Sequence, residues 1–162
     1  MPSSFPGQFG VDRDSLYGTL GDHEKRVQAL EAYTPTWRAG RFEILCTDPT
    51  VTVTVGPSVE LFPLFVPRDL VGASLVDCAA AVWVAAGSGT LEFDLWNLTQ
   101  GVSFLTTLIT IDAGEITSFT AATPPVIGTA GQPLALGDQI TGYCTDVADG
   151  TAQGVVIMMS FA

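Results

Sequence analysis

From Thr36 to the C-terminus, short apolar or alternating stretches are cut by Gly, Pro and Asp turn signals at fairly regular spacing. No helical period intervenes, and that pattern predicts an antiparallel all-β body. Val51-Thr52-Val53-Thr54-Val55 alternates cleanly, Val on one face and Thr on the other, before Gly56-Pro57 ends it. Trp37 to Thr47, Val59 to Val66 and Leu75 to Ala86 read as further strands. In Leu91-Glu92-Phe93-Asp94-Leu95 the apolar residues face a core and the two acids face water. Thr99-Gln100-Gly101 is a hairpin tip leading into Val102 to Ile111, and Asp112-Ala113-Gly114-Glu115 turns into Ile116 to Ala121. Pro124-Pro125 begins a long connection, after which Gln139 to Asp146 and Val155 to Phe161 close the series. About eight strands follow Val51 without a helix, and two packed antiparallel sheets bury them economically.

The first 34 residues follow a different rule. Residues 1–18 carry Pro and Gly with Phe5, Phe9, Val11 and Tyr17 between them. Such a segment has no core of its own and reads as an extended anchoring arm whose aromatics find pockets on another protein. Leu16, Leu20, His23, Val27 and Leu30 recur at intervals of 4, 3, 4 and 3, a heptad seam. Gly18 and Gly21 disfavour helix, Asp22 is a good N-cap, and Thr34-Pro35 closes the segment. The seam is therefore short, centred on His23, Val27 and Leu30 with Leu20 as an extension. A helix below about 12–15 residues is marginal in water, so the seam aligns copies of the chain without supplying most of the association energy. The expected organisation is an arm over 1–18, a short coiled-coil helix over 19–34, a connecting β segment over 35–68 and a β-sandwich over 69–162.

Composition adds exclusions. The 162 residues are 47% hydrophobic and 14% charged, and a monomer with so little charge exposes apolar surface that association would cover. No apolar stretch approaches the roughly 18 residues of a membrane span, so no membrane partner is expected. All six basic residues lie in the first 68 positions, and from Asp69 to Ala162 nine acids stand without any Lys, Arg or His. Phosphate contacts need cations, which argues against a nucleic-acid partner for that half. The N-terminus lacks the basic region and apolar core of a secretion signal. Cys46, Cys78 and Cys144 form no CxxC or Cys/His pattern and read as reduced, buried small hydrophobes, not zinc ligands.

The run GSGTLEFDLWN with TQG at its tip, then LITIDAGEITS, LALGDQITGY and GVVIMMSF, resembles a β-sandwich module of bacteriophage virion proteins. The matching stretches are Ile111 to Ser118 and Leu134 to Ile140, within a resemblance that covers residues 69–162. Gly21 to Trp37 resembles the short coiled-coil stalk and link of phage minor structural proteins, although the Gly-Asn-Gly signature that follows it there is missing. The resemblance implies a jelly-roll-like fold and a non-enzymatic structural role as a capsid decoration, head-fibre or minor tail protein. It also implies assembly in the host cytoplasm into the virion and contact with a major capsid or tail protein. Together with the seam it leans to a homotrimer, aligned through Leu20, His23, Val27 and Leu30. A tail-fibre adhesin that binds a host-surface glycan is the alternative.

No catalytic constellation emerges from the spacing. With one His in the chain, placed in the helix, neither a Ser-His-Asp nor a Cys-His nucleophile system can be assembled. No phosphate-cradling or dinucleotide-binding Gly loop occurs, and no cofactor or metal is expected. Asp112 with Glu115, or Asp146 with Asp149, offers paired carboxylates of the kind calcium prefers, but turn-forming Asp needs no ion to explain it. Asn97-Leu98-Thr99 fits a glycosylation pattern that would go unused in the cytoplasm. Of the aromatics, Trp83 lies in so apolar a strand that core or subunit interface is expected, whereas Trp96 is the better candidate for an exposed sugar contact.

Overall fold

The computed structural model describes residues 40–54 and 60–162. The chain divides into Met1–Trp37 and Arg38–Ala162. The arm residues Phe5, Phe9, Val11 and Tyr17 and the seam residues Leu20, His23, Val27 and Leu30 lie outside the described residues. The second unit is mainly β. Its strands are β1 (Arg41–Leu45), β2 (Leu64–Phe65), β3 (Leu75–Val84), β4 (Thr90–Asn97) and β5 (Val102–Ser103). They continue as β6 (Leu105–Thr107), β7 (Ile109–Asp112), β8 (Val126–Ile127), β9 (Gln139–Val147) and β10 (Gln153–Phe161).

One antiparallel sheet runs β1-β10-β3, and a second runs β2-β9-β4-β5, with β7 also pairing β4. The pairing is nested. The first strand pairs the last (β1 with β10), and β2 pairs the penultimate β9. The edge of β3 meets the stretch at Thr117 through a bridge to Ala81, and β4 pairs β7. The expected boundary between residues 68 and 69 falls inside this unit, because β1 and β2 are paired members of the two sheets.

Period-two patterning explains the core. Leu91, Phe93 and Leu95 of β4, Ile109 and Ile111 of β7, and Val155, Ile157 and Met159 of β10 are all buried. They join Leu75, Ala80 and Val82 of β3 and Ile140 and Cys144 of β9 in a single apolar cluster. Each Leu, Ile or Phe so buried contributes about 1.5–3 kcal/mol relative to exposure. Gly101 takes a φ of 70° at the tip of the β4-β5 hairpin, where its N–H donates to the Asn97 carbonyl at 2.9 Å. A left-handed turn of this kind favours glycine.

Several strand expectations change. Val51 to Thr54 form no strand: Val51 is exposed, Val53 is buried, and only Thr52 bridges Gln153. The stretch expected over Val59 to Val66 narrows to Leu64–Phe65, as Pro63 removes a ladder donor just before it. Val102 to Ile111 is broken into three short strands, two of them facing different partners: β6 pairs β8 and β7 pairs β4. Ile116 to Ala121 is a bridge followed by a 3-10 turn over Ser118–Thr120. There the Ser118 hydroxyl accepts the Ala80 N–H at 2.9 Å and so replaces a ladder bond of β3.

Candidate functional site

The outer face of the β1-β10-β3 sheet begins with a polar row, Arg41, Ser160 and Asp77, and becomes small and apolar toward its other end. Glu43, Met158 and Ala79 form one row, and Leu45, Val156 and Ala81 form the next. Beyond them stands Trp83, 61% exposed. Its ring lies close over Gly154, where a Cβ would overlap both the ring and the Pro49 backbone. Ile116 and Thr117 wall the far side, tied to the sheet where Val82 N–H donates to the Ile116 carbonyl at 2.9 Å. The result is an open trough of about 290 Å³, lined by Ala81, Trp83, Ile116, Val156 and Met158 with Glu43 on its rim. Leu45, 57% exposed, extends the apolar surface beside it.

Exposure removes the core alternative for Trp83 and leaves the subunit-interface one open, while Trp96 is not the exposed aromatic that was expected. Trp83 belongs to no core; the β3 pattern turns it outward one residue after buried Val82. Trp96 is half-buried, its Nε1–H donating to Asp94 at 2.6 Å and its ring edge-on to Tyr143 at 6.2 Å. Asp94 is buried and not water-facing, because it also accepts from the Ser103 hydroxyl at 2.6 Å and the Leu95 N–H at 2.8 Å. Alternation alone assigns it to the wet face. The signal that could have placed it is the short β4-β5 hairpin, which puts Ser103 opposite Trp96.

Asp138, 4% exposed, is the second buried carboxylate. Burial pushes its pKa up, but donors from Ala135 N–H, Asn97 and Gln100 outweigh it and hold the carboxyl below the ordinary range. The distances are 3.0 Å, 2.7 Å and 2.9 Å. Asn97, the glycosylation candidate, is thus wholly buried inside this cluster. Both carboxylates are spent on donors from within the chain, and both act as latches on the β4-β5 hairpin.

The paired turn carboxylates are likewise committed to their neighbours. Asp112 accepts the Ala122 N–H at 2.9 Å while Glu115 takes the Thr120 hydroxyl at 2.6 Å, so the two face different partners. Asp146 caps Ala148 at 2.8 Å, and Asp149 holds Thr151 and the Ser88 N–H at 3.0 and 2.9 Å. Among the described residues no three His, Cys, Asp or Glu side chains converge as a metal site. Burial pushes each of the free thiols Cys46, Cys78 and Cys144 up to about 12, so none is a thiolate at neutral pH.

No family model, curated protein or solved structure matches the chain. The trough at Trp83 must therefore be read from its own chemistry. It presents apolar area, one carboxylate and one threonine hydroxyl, with no cation on its walls among the described residues. Such a lining can bury the apolar face of a ligand or side chain but offers few groups for ordering a polar one. On the other sheet, β2 exposes Phe65 (61%), and Val71 and Leu136 are also exposed. The Val66 N–H to Asp138 carbonyl bond at 2.9 Å and the Gly137 N–H to Val66 carbonyl bond at 3.0 Å bring the Leu136 loop against β2.

Proposed function

We propose that this chain is a non-enzymatic virion structural protein, a homotrimeric capsid decoration, head-fibre or minor tail component with a jelly-roll head. The observation that carries the reading is the nested strand pairing: first strand with last, second with penultimate, β3 with the stretch at Thr117, and β4 with β7. A long antiparallel hairpin rolled across two sheets produces that order, and jelly rolls of this kind recur in viral capsid and lectin domains. Fold alone does not assign function, so the surface has to agree. It does so in two respects. Large side chains such as Leu45, Trp83 and Phe65 are left exposed for burial by partners. Apart from Arg41 and Arg68, the formal charges of residues 40–162 are acidic, which keeps particles apart in solution.

In this reading the arm over residues 1–18 anchors the chain to a major capsid or tail protein, and the head projects outward. Three weak anchors held by one trimer bind far more tightly than one, through effective concentration. Sedimentation equilibrium of the full chain tests it. The expected mass is three times 17.0 kDa, and a stable monomer at micromolar concentration would overturn the reading. Antibody labelling of particles should then decorate either capsomers or the tail, and labelling of neither would exclude a virion role.

Trp83 favours a second reading, a glycan-binding adhesin, because an exposed indole stacks well on a sugar ring. The small number of hydrogen-bonding groups around it is the argument against.

A further inference from the structure

We infer that β1 pairs edge to edge with β1 of a second copy of this chain, antiparallel across a two-fold axis, with Arg41 of each copy opposite Glu43 of the other. The backbone carries it. The Gly40 carbonyl accepts the Phe161 N–H at 3.0 Å, and the Cys46 N–H donates to the Val155 carbonyl at 2.7 Å. In the β1-β10 register this commits the N–H and C=O groups of Phe42 and Ile44 to β10 and turns those of Arg41, Glu43 and Leu45 outward. Among the described residues nothing pairs with that outward row. The other edge of the sheet is closed. There Thr117 bridges Ala81, and the Val82 and Ala80 N–H groups donate to the Ile116 carbonyl and the Ser118 hydroxyl. An open strand edge is a template for another strand.

Register selects a copy of the same strand as the occupant. Outward residues pair only with outward residues, which leaves few antiparallel registers for two β1 strands. Glu43 opposite Glu43, or Arg41 opposite Arg41, sets like charges face to face, and Glu43 opposite Leu45 leaves the charge unmatched. Arg41 opposite Glu43 gives two opposite-charge pairs and places Phe42 against Phe42 at the axis. Within one strand Arg41 and Glu43 already share a face, but two residues of strand separate their Cα atoms by about 6.7 Å. A directly opposed residue stands at about 5.5 Å, so each charge gains a nearer counter-charge. Asp77 lies farther off, two strands from Arg41 across Ser160. Phe42 is only half-buried, edge-on to Phe161 at 6.0 Å, and a copy across the axis covers more of it. Two hydrogen-bonded pairs exchange about four N–H···O bonds, so the contact is weak alone and gains where several heads are presented together. A ring of three contains no two-fold axis, so the pairing joins one oligomer to the next and stands whether or not the heads are trimeric.

Sedimentation equilibrium of the full-length chain from about 1 μM to about 1 mM tests the pairing, and the mass should rise by whole oligomers over that range. Arg41→Glu and Glu43→Arg move the net charge in opposite directions, yet each sets like charges opposite in both pairs. Each should weaken the step by about tenfold or more. Mixed one to one, the two variants are complementary again and should associate to within about threefold of wild type. Glu43→Pro removes an outward N–H and spares the β10 ladder, so it should abolish the step with circular dichroism unchanged. Amide exchange at Arg41 and Glu43 should slow by about fivefold or more on association, while Phe42 and Ile44 stay protected throughout. Charge variants that both associate as wild type does, or a mixture no tighter than its components, overturn the pairing. So does a wild type of constant mass over the whole range, or association that leaves exchange at Arg41 and Glu43 unmoved. The trimeric reading fails separately, through a monomeric mass at the dilute limit, and the step from one copy to two then still reads the edge.

Discussion

The two sheets spend their side chains differently. In the β2-β9-β4-β5 sheet and its flank, Asp94, Asn97 and Asp138 are buried and hydrogen-bonded to groups of the chain itself. In the β1-β10-β3 sheet, the outer face carries Arg41, Ser160 and Asp77 at one end and Leu45, Trp83, Val156 and Met158 toward the other, where polar groups are sparse. The first arrangement fixes a hairpin and leaves nothing to offer a ligand. The second leaves apolar area in water, which is a cost to an isolated chain and a gain once something covers it. Carboxylates in a site are thus a poor guide here, and the stretch around Trp83, with Glu43 as its one charged lining residue, is the better one.

The largest expected effect tests the inward side of that contrast. Phe93 is wholly buried at the centre of β4, and Phe93→Ala should cost about 3–5 kcal/mol through lost transfer energy and a residual cavity. Urea unfolding monitored by circular dichroism would measure it, and a change below about 1 kcal/mol would mean that β4 is not the core strand. Asp138→Ala should follow at about 3 kcal/mol, because it strands the Asn97, Gln100 and Ala135 donors in a buried site. If Asp138→Ala were neutral, the contrast between a latched sheet and an open one would fail.

Gly154 tests the outward side. Its φ of 63° and the overlap that any Cβ would make with Trp83 and the Pro49 backbone predict a loss of about 2 kcal/mol for Gly154→Ala. The indole would also be displaced, so its fluorescence should shift toward that of a freely solvated ring. An unaltered emission spectrum would show that the glycine does not seat Trp83.

Acid pH separates the sheets in another way. Asp138 has its carboxyl held below the ordinary range once folded, so its contribution is present above the unfolded carboxylate pKa, about 3.9. That contribution is lost as pH falls through the lower folded value. Stability should therefore decline as pH drops below about 4, and Asp138→Asn should flatten that decline. Equal acid sensitivity in the variant would place the titrating group elsewhere. Asp48 and Asp149 are also held low, by Thr50 and Thr151 respectively, but both are fully exposed and solvent screening weakens their effect.

How much of this was legible in the sequence depends on which force decides each residue. The long strands at Leu75, Gln139 and Val155 and the hairpin at Thr99 to Gly101 could be read, because apolar periodicity and turn glycines act locally. Val51 to Val55 alternates as cleanly as any strand, yet Val51 to Thr54 form none; a bridge at Thr52 is the pairing there. Alternation describes what a strand would bury, and pairing requires a partner edge that only the tertiary fold supplies. Asp94 is misplaced for the same reason: its donors come from Trp96, Ser103 and Leu95, and Ser103 reaches it only after the hairpin closes. At Trp83 composition could not choose between core and subunit interface, since an apolar strand on an outer sheet face looks the same in sequence as one in the core.

The smallest expected effect is the one that most sharpens the contrast. Trp83 exposes most of its surface, so Trp83→Ala should change the stability of the isolated head by less than about 1 kcal/mol, although it removes the largest type of side chain. Chemical denaturation at a protein concentration where the chain is monomeric would measure this intrinsic term. At higher concentration the wild type should gain stability with concentration and Trp83→Ala should not, because binding to the folded state alone shifts apparent stability by mass action. A Trp83→Ala loss as large as that of Phe93→Ala at low concentration would make the indole part of the core after all. A small loss at low concentration that grows with concentration would assign its worth to association.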